Sequence, residues 1–177
     1  MFTRTSVLVL SVALVLTGCT SSQDEAIPDA WIPTEAATQA PELTGTPVSV
    51  EVSGDSGSEP VVAITPGDPV TELEVTDVVV GTGDPLPAGA TLTADYVGYG
   101  GATGQMFDAS WLRGEPATFP LANVILGWQE GLVGMQVGGR RLLVIPAELG
   151  YGNNPPPGSG IEPGETLIFV VDLVSFE

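Results

Sequence analysis

The stretch of residues 123–135, NVILGWQEGLVGM, carries a helical pattern that decides how the surrounding sequence is interpreted. Its apolar residues recur at intervals of three, four and three, the spacing of one helix face: Ile125, Trp128, Leu132 and Met135. Asn123 is of a type favoured as the N-cap of a helix. Three residues weaken the helix by propensity, namely Gly127, Gly131 and Gly134. We therefore expect a short helix that depends on packing against a sheet.

Strand patterns lie on both sides of this segment. Upstream, residues 73–80 and 92–98 contain runs or alternations of apolar residues, and the first run ends at the turn-forming residues 81–85, GTGDP. Downstream, residues 140–145 and 166–176 are rich in Val, Ile, Leu and Phe, which favours strands. The sum is an α+β domain over residues 72–177, with four or five antiparallel strands and one short helix.

Residues 48–71 have a weaker pattern. Val48, Val50 and Val52 alternate with polar residues, and Val62 and Ile64 belong to a second apolar stretch. The residues GDSG at 54–57, between the two, are typical of a turn. We expect an extra strand or a hairpin that leans on the edge of the domain.

The N-terminus has the order of a lipoprotein signal. Arg4 precedes an apolar run over residues 6–16, which is far shorter than the ~20 residues that span a bilayer and has the proportions of a signal peptide. Residues 16–19, LTGC, resemble the lipobox of bacterial lipoproteins. The resemblance implies cleavage after Gly18 and a lipid on Cys19, the sole cysteine of the chain. The alternative is an ordinary signal peptide with a chance cysteine.

Residues 19–47, which follow the signal peptide of residues 1–18, are predicted to be an acidic, proline-rich tether. They contain four prolines, no basic residue and no apolar period of a helix or strand. Such a composition cannot bury enough apolar surface to offset chain entropy, so we expect disorder. The predicted localisation is the extracytoplasmic face of the bacterial cell membrane, with the domain anchored through Cys19.

Composition excludes several classes of function. The chain has 22 acidic and 4 basic residues, a net charge of −18, which argues against nucleic-acid partners because phosphate neutralisation needs clustered Lys and Arg. With no histidine and one cysteine, Ser-His-Asp chemistry, Cys-His chemistry and histidine-based zinc sites are excluded. An enzyme with this sequence must work with carboxylates, hydroxyls, backbone groups and apolar surface, and we expect neither a metal nor a cofactor.

Six short segments form a set within residues 72–177: ADYVG (94–98), FDAS (107–110), VILGWQEGL (124–132), MQVGGRR (135–141), IPAELGYG (145–152) and IEPGETLIF (161–169). In this order and spacing they resemble the FKBP-type prolyl isomerases. That family's fold is a twisted antiparallel β-sheet wrapped around one short α-helix, in agreement with the patterns above. The resemblance implies a peptidyl-prolyl cis/trans isomerase that assists the folding of proline-containing secreted proteins and is open to macrolide inhibitors.

The resemblance also implies a site, residue by residue. Trp128 would form the floor of a proline pocket, Tyr151 and the backbone N–H of Ile125 would donate to a substrate carbonyl, and Asp108 would lie beside the reacting imide. The catalytic candidates are Asp108, Tyr151 and Phe107. The substrate-binding candidates are Tyr96, Phe107, Asp108, Val124, Ile125, Trp128, Tyr151, Ile161 and Phe169. Taken singly, each aromatic residue is as well explained by the core, and Asp108 by a surface turn.

Two features depart from the family pattern. Ala117 stands where the family usually has a large side chain at the pocket mouth, and the loop of residues 152–160 is slightly long and rich in proline. Ala117 favours an alternative function, a low-turnover holdase that grips proline-containing segments. We expect a monomer, because nothing after residue 71 offers a heptad or a long apolar stripe.

Overall fold

The computed structural model describes residues 45–177. The predicted signal peptide of residues 1–18, Cys19 and the tether up to residue 44 lie outside the described residues. Within the described part, no helix is both long enough and apolar enough to cross a membrane.

The described chain consists mainly of strands. The strands are β1 (Ser49–Ser53), β2 (Val61–Thr65), β3 (Glu74–Val79), β4 (Thr91–Gly100), β5 (Met106–Ala109), β6 (Ala117–Pro120), β7 (Arg140–Ile145) and β8 (Leu167–Phe176). The α-helix α1 spans Leu126–Gly131. Short 3-10 turns occur at Trp111–Arg113, Leu121–Asn123 and Ala147–Leu149.

Six of these strands form one antiparallel sheet, in the order β3-β7-β8-β4-β5, with β6 paired to the first half of β4. The long strands β4 and β8 make its centre and pair from Leu92 opposite Phe176 to Gly100 opposite Leu167. The predicted architecture, an antiparallel sheet with one short helix, is confirmed. The sequence pattern does not predict the short strands β5 and β6, because four residues leave too little alternation to recognise.

The main core lies between helix α1 and one face of this sheet, which we call the front face. Successive side chains of a strand point to opposite faces, so alternate residues of β4, β7 and β8 enter this core. Its buried members include Leu92, Ala94, Tyr96, Trp128, Leu132, Met135, Leu143, Ile145, Phe169 and Val171.

The helix lies so close to β7 that only glycine fits at two of its positions. A Cβ added at Gly127 would lie 2.4 Å from a side-chain carbon of Ile145, and one at Gly131 would lie 2.7 Å from Leu143. The expectation that this helix depends on packing therefore has a specific cause, because the glycines that weaken the helix also permit the contact.

The predicted N-cap at Asn123 is wrong. Asn123 ends the 3-10 turn Leu121–Asn123, and the helix begins at Leu126 with Ile125 as its N-cap. The reason is that the intervening backbone is extended, with ψ angles of 172° at Val124 and 152° at Ile125. Helical geometry cannot start until that extended stretch ends.

Strands β1 and β2 form a separate two-stranded hairpin that covers the opposite, back face of the main sheet. The hairpin pairs Val50 with Ile64 and Val52 with Val62. Val52 and Val62 pack on a second group of apolar residues, which we call the back cluster. The back cluster consists of Val97, Ala109 and Val170, with Tyr99, Trp111 and Leu142 packed against them.

A buried ion pair holds the hairpin turn to the sheet. Arg140 and Asp172 are opposite each other on β7 and β8 and are joined by hydrogen bonds of 2.6 and 2.7 Å. Arg140 also donates to the carbonyls of Gly54, at 3.0 Å, and Ser58, while the N–H of Gly57 donates to Asp172 at 2.7 Å. Since buried charges need satisfied hydrogen-bonding groups, the backbone of the hairpin completes this pair.

The next residue, Arg141, points to the front face. It donates to both carboxylate oxygens of Asp77 on β3, at 2.7 and 3.0 Å, and to the carbonyl of Gly131 at 2.8 Å. A cation beside the last carbonyls of a helix is favourable. Arg141 therefore fixes the C-terminal end of α1 to the sheet.

Candidate active site

A cavity of about 290 Å³ lies on the front face of the sheet beside helix α1. Its volume is near the lower end of the range for small-ligand pockets, about 300–1,000 Å³. The structure brings eight of the nine predicted site residues to its wall, and two further residues complete it. The lining is Tyr96, Phe107, Asp108, Phe119, Asn123, Val124, Ile125, Trp128, Tyr151 and Phe169.

Four positions differ from the sequence-based expectation. Ile161 is partly buried against the main core but is not among the residues that line the cavity. The wall next to β4 is formed by Phe119, whereas Ala117, two residues earlier on β6, is outside the lining. The alternation along β6 is the signal that could have found Phe119, because residues two apart on a strand share a face. Asn123 carries no such signal.

Five of the six aromatic rings that line the cavity contact one another and form its floor and walls. The Trp128 ring meets Phe169 at 5.3 Å and Tyr96 at 5.5 Å between centroids, with interplanar angles of 87° and 84°. Phe119 meets Trp128 at 5.8 Å and 85°, and Phe107 meets Phe169 at 5.5 Å and 82°. Such edge-to-face contacts are the favoured geometry of aromatic pairs. The rings therefore support one another and give the cavity a defined shape.

Gly98 on β4 allows two of these rings to meet. A Cβ added there would lie 2.7 Å from ring atoms of Phe107 and 2.8 Å from a ring atom of Phe169. Any side chain at this position would displace the rings, so the bare backbone of β4 forms the surface on which they rest.

A register shift in β5 turns two consecutive residues toward the cavity. Ala109 pairs with Val97 and Asp108 with Gly98, but the next pair is Met106 with Tyr99, so Phe107 is passed over. Extra residues of this kind bend a strand and redirect its side chains, often next to functional sites. As a result both Phe107 and Asp108 line the cavity.

Asp108 belongs to a closed network of three side chains. The Tyr96 hydroxyl donates to Asp108 Oδ2 at 2.5 Å, and Arg113 Nη1 donates to Oδ1 at 2.8 Å. Arg113 Nη2 also donates to the Tyr96 hydroxyl oxygen at 2.8 Å. Both carboxylate oxygens are thus occupied. Sequence reasoning missed Arg113, since an arginine in a turn five residues after an acid is common and carries no specific signal.

The network sets the ionisation of the cavity. Burial, together with the hydrogen bond to Asp108, raises the pKa of Tyr96 to about 12. Burial acts to raise the pKa of Asp108, but the hydrogen bonds from Tyr96 and Arg113 outweigh it and hold that pKa below its ordinary value. Burial and the charge of Asp108 raise the pKa of Tyr151. At neutral pH the aspartate is therefore charged and both tyrosines are protonated.

The arrangement suits binding and reshaping a substrate more than breaking a bond. The cavity offers aromatic surface, hydroxyl and amide donors, and one carboxylate that is already hydrogen-bonded at both oxygens. Among residues 45–177, no three His, Cys, Asp or Glu side chains are grouped so that they could hold a metal ion.

Sequence comparison identifies the family to which the chain belongs. The sequence profile of the FKBP-type peptidyl-prolyl cis-trans isomerases matches residues 83–174, more than half of the 177-residue chain. The chain belongs to the FKBP-type peptidyl-prolyl cis-trans isomerase family. The matched region contains every residue that lines the cavity, whereas the β1–β2 hairpin precedes it.

Relatives of the FKBP-type isomerase agree with this assignment. An FK506-binding protein of Streptomyces anulatus is 49% identical over 119 residues, covering 66% of this chain and 96% of that protein. A probable FK506-binding protein of Corynebacterium glutamicum is 44% identical over 118 residues, with coverages of 66% and 98%.

Solved structures show the same fold. The crystal structure of FkpA from Escherichia coli has a TM-score of 0.55 and 41% identity, covering 60% of this chain and 49% of that one. The crystal structure of AtFKBP13 has a TM-score of 0.55 and 34% identity, covering 62% and 96%.

Proposed function

We propose that this FKBP-type isomerase accelerates rotation about X–Pro peptide bonds in proteins that fold outside the cytoplasm. The observation that carries the catalytic part is the cavity itself, an aromatic pocket whose single lining carboxylate is hydrogen-bonded at both oxygens. Such a site has no free nucleophile and no proton carrier that titrates near neutrality, and X–Pro rotation requires neither.

The reaction explains why an apolar pocket is sufficient. Amide resonance creates a rotation barrier of ~18–20 kcal/mol, so an uncatalysed X–Pro bond takes ~10–100 s to isomerise. Twisting the bond removes the partial charges of resonance, and the twisted amide is therefore less polar at its carbonyl. A site that binds the twisted form better than either planar form lowers the barrier, and a water-poor aromatic pocket does so.

The roles within the pocket follow from position. Trp128, buried beneath the other rings, is the proposed floor for the proline ring. Tyr96, Phe107 and Phe169 are the proposed walls, held by the edge-to-face contacts described above. They would hold the proline ring while the preceding residue rotates about the imide bond.

Polar groups at the wall would orient the substrate chain. Tyr151, one-third exposed, and the backbone N–H of Ile125 at the start of α1 are the proposed donors to substrate carbonyls. Asp108 would polarise the imide from one side. Because Tyr96 and Arg113 satisfy both of its oxygens, Asp108 orients and polarises without transferring a proton.

The activity is tested with the full chain in mild detergent, using a chromogenic X–Pro peptide and FK506 as the inhibitor probe. Acceleration over the uncatalysed rate, loss of that acceleration in Trp128→Leu and inhibition by FK506 would support the proposal. A folded chain that binds the peptide but does not accelerate isomerisation would instead support the holdase alternative. Ala117 favoured that alternative, but Phe119 lines the cavity and Ala117 does not, so the wall is not short of a ring.

The location of the clients is proposed from the sequence. The lipobox-like residues 16–19 and the following acidic segment support attachment of Cys19 to the outer face of the cell membrane, where newly secreted proteins fold. Two acyl chains suffice for stable anchoring. Cys19→Ser should move the protein from the membrane fraction to the soluble fraction. A mutant that still sediments with membranes would overturn the lipid anchor and leave the isomerase assignment untouched.

A further inference from the structure

The cavity wall that carries Phe107 and Asp108 is a short and irregular edge of the sheet. Strand β5 has only four residues, lies at the edge of the sheet and pairs with β4 alone. Its pairing is interrupted by the register shift at Phe107. An edge strand this short and irregular gains little from its backbone ladder, so its position depends on what packs against its faces.

On the back face, this segment and the N-terminal hairpin belong to one apolar cluster. Ala109, the last residue of β5, is 2% exposed and belongs to the back cluster, and Trp111 packs on the same cluster. Val52 of β1 and Val62 of β2 pack against that cluster from the hairpin side. The segment from Phe107 to Trp111 therefore has the cavity on one side and the hairpin on the other.

The same segment leads directly into the polar network of the cavity. Ser110 is fully buried and accepts a hydrogen bond from the N–H of Tyr96 at 2.9 Å, while its own N–H donates to the Tyr96 carbonyl at 2.9 Å. The 3-10 turn that starts at Trp111 then delivers Arg113 to Asp108. Movement of Trp111 away from the back cluster would carry Arg113 with it.

The hairpin is fixed independently at its turn. Arg140 and Asp172 bind the backbone of Gly54, Gly57 and Ser58, as described above. With the turn held by an ion pair and the strands held by two valines, the hairpin has the attachments of a permanent part of the domain. It also lies outside the residues that the family profile matches.

We propose that the hairpin of residues 49–65 is a positioning element of the isomerase site, which holds β5 from behind and thereby keeps Phe107, Asp108 and Arg113 in place. Val52 and Val62 are its positioning residues. The inference rests on the proposed isomerase function for its kinetic readout. The floor of the pocket is not involved, because Trp128 and Ile125 belong to the main core with α1 and not to the back cluster.

The test compares one substitution at two neighbouring positions. Val62→Thr keeps the β-branched shape but places a hydroxyl against the back cluster, whereas Val61→Thr makes the same change at a residue that is 69% exposed. Val62→Ile is the conservative variant that should preserve activity. Isomerase kcat and KM are measured on the full chain, with rates normalised to the folded fraction from urea unfolding in the same buffer.

We expect Val62→Thr to lower kcat by about threefold to tenfold, as a small displacement of catalytic groups does, with a smaller change in KM because the floor is untouched and only one wall moves. Val61→Thr and Val62→Ile should match the wild type. Equal kcat for Val62→Thr and Val61→Thr, or a loss fully accounted for by the unfolded fraction, would overturn the inference. If Val62→Thr does not fold, Val52→Thr takes its place.

Hydrogen exchange separates this inference from the function it rests on. The N–H of Ser110, bonded to the Tyr96 carbonyl, should exchange faster in Val62→Thr, while amides of the edge strand β3, which contributes nothing to the back cluster, keep the wild-type rate. A wild type without isomerase activity would overturn the proposed function, and the exchange of Ser110 would still decide whether the hairpin holds β5. Unchanged exchange of Ser110 would overturn the inference in either case.

Discussion

One arginine–aspartate pair lies on the back face of the sheet and another lies at the mouth of the cavity on the front face, and the two differ most clearly in their burial. On the back face, the side chains of Arg140 and Asp172 are 0% and 5% exposed. At the mouth of the cavity, those of Arg113 and Asp108 are 44% and 45% exposed. The closest nitrogen–oxygen distances are similar, 2.6 and 2.8 Å.

Because they differ in burial, the two pairs have different functions in the protein. Removing charges from water is costly, so the buried pair persists only because backbone groups of the hairpin satisfy its remaining atoms, and it thereby specifies where the hairpin docks. An exposed pair adds at most about 1 kcal/mol to stability. What Arg113 contributes is control of Asp108, through its position and its ionisation. The buried Arg140–Asp172 pair thus fixes the hairpin to the sheet, whereas the exposed Arg113 sets the position and the pKa of Asp108.

The same substitution in both pairs tests whether burial determines their contribution to stability. Arg140→Gln should lower the free energy of unfolding by about 3–5 kcal/mol, because Asp172 is left buried without its partner. Arg113→Gln should lower it by at most about 1 kcal/mol. Urea unfolding followed by circular dichroism measures both. Equal losses would mean that burial does not distinguish the pairs.

On the front face, the largest effect should be on activity. Phe107→Ala removes a wall that the twisted imide needs and admits water, so kcat/KM should fall by about tenfold or more, given ~1.5–3 kcal/mol for a buried aromatic side chain. Phe107→Leu, which keeps most of the apolar surface, should retain more activity. The peptide isomerisation assay measures both variants. A Phe107→Ala enzyme as fast as Asp108→Ala would contradict the primacy of the apolar wall.

A smaller effect is expected from removing a hydrogen-bond donor of the cavity. Tyr151→Phe keeps the ring and deletes one hydroxyl, so a loss of ~0.5–1.5 kcal/mol in transition-state stabilisation is expected, a factor of a few in kcat/KM. Tyr99→Phe makes the same change in the back cluster, away from the cavity, and should leave kcat/KM unchanged. If both variants lose activity equally, the hydroxyl of Tyr151 does not act on the substrate.

The smallest effect expected is that of pH. The pKa of Asp108 is held below its model-peptide value of 3.8, so its stabilising contribution is present above that value and is lost only as pH falls through the lower, folded pKa. The pKa of Tyr96 is about 12 in the folded state, whereas the same side chain ionises near 10 in the unfolded chain. The stability that protonated Tyr96 contributes is therefore lost as pH rises from the lower to the higher of these values.

Both of these losses of stability occur far from neutral pH. The profile of kcat/KM should therefore be flat from about pH 5 to 9. In Arg113→Gln the acidic limb should move to higher pH, because the guanidinium that helps to hold down the pKa of Asp108 is gone. A step in the wild-type profile near neutrality would point to proton transfer.

The front face could be predicted from the sequence to a greater extent than the back face. Helical spacing and strand alternation gave the helix and the central strands, and the family resemblance named eight residues that the structure places around one cavity. The extended backbone before α1 could not be foreseen, since Asn123 has the residue type of an N-cap and only ψ angles exclude it. Arg113 was missed because only the path of the 3-10 turn that carries it brings its side chain to Asp108.

The back face shows why the rest was out of reach. Alternating valines in residues 48–64 indicate strands, but they do not say what those strands cover. Arg140 looks like a surface cation in the sequence, and the groups that bury it come from Asp172, 32 residues later, and from backbone carbonyls more than 80 residues earlier. Long-range satisfaction of this kind leaves no local pattern.

The pairing of the arginines has a practical consequence for proteolysis. The chain contains no lysine and four arginines, so trypsin has few places to act. In the described residues, Arg140 and Arg141 are buried within the sheet, whereas Arg113 lies on an exposed turn followed by Gly114. Brief digestion of the folded domain should cut at the bond between Arg113 and Gly114 first. A protease used routinely to assess folding would then cut the turn that carries Arg113 to Asp108 and leave the buried Arg140–Asp172 pair intact.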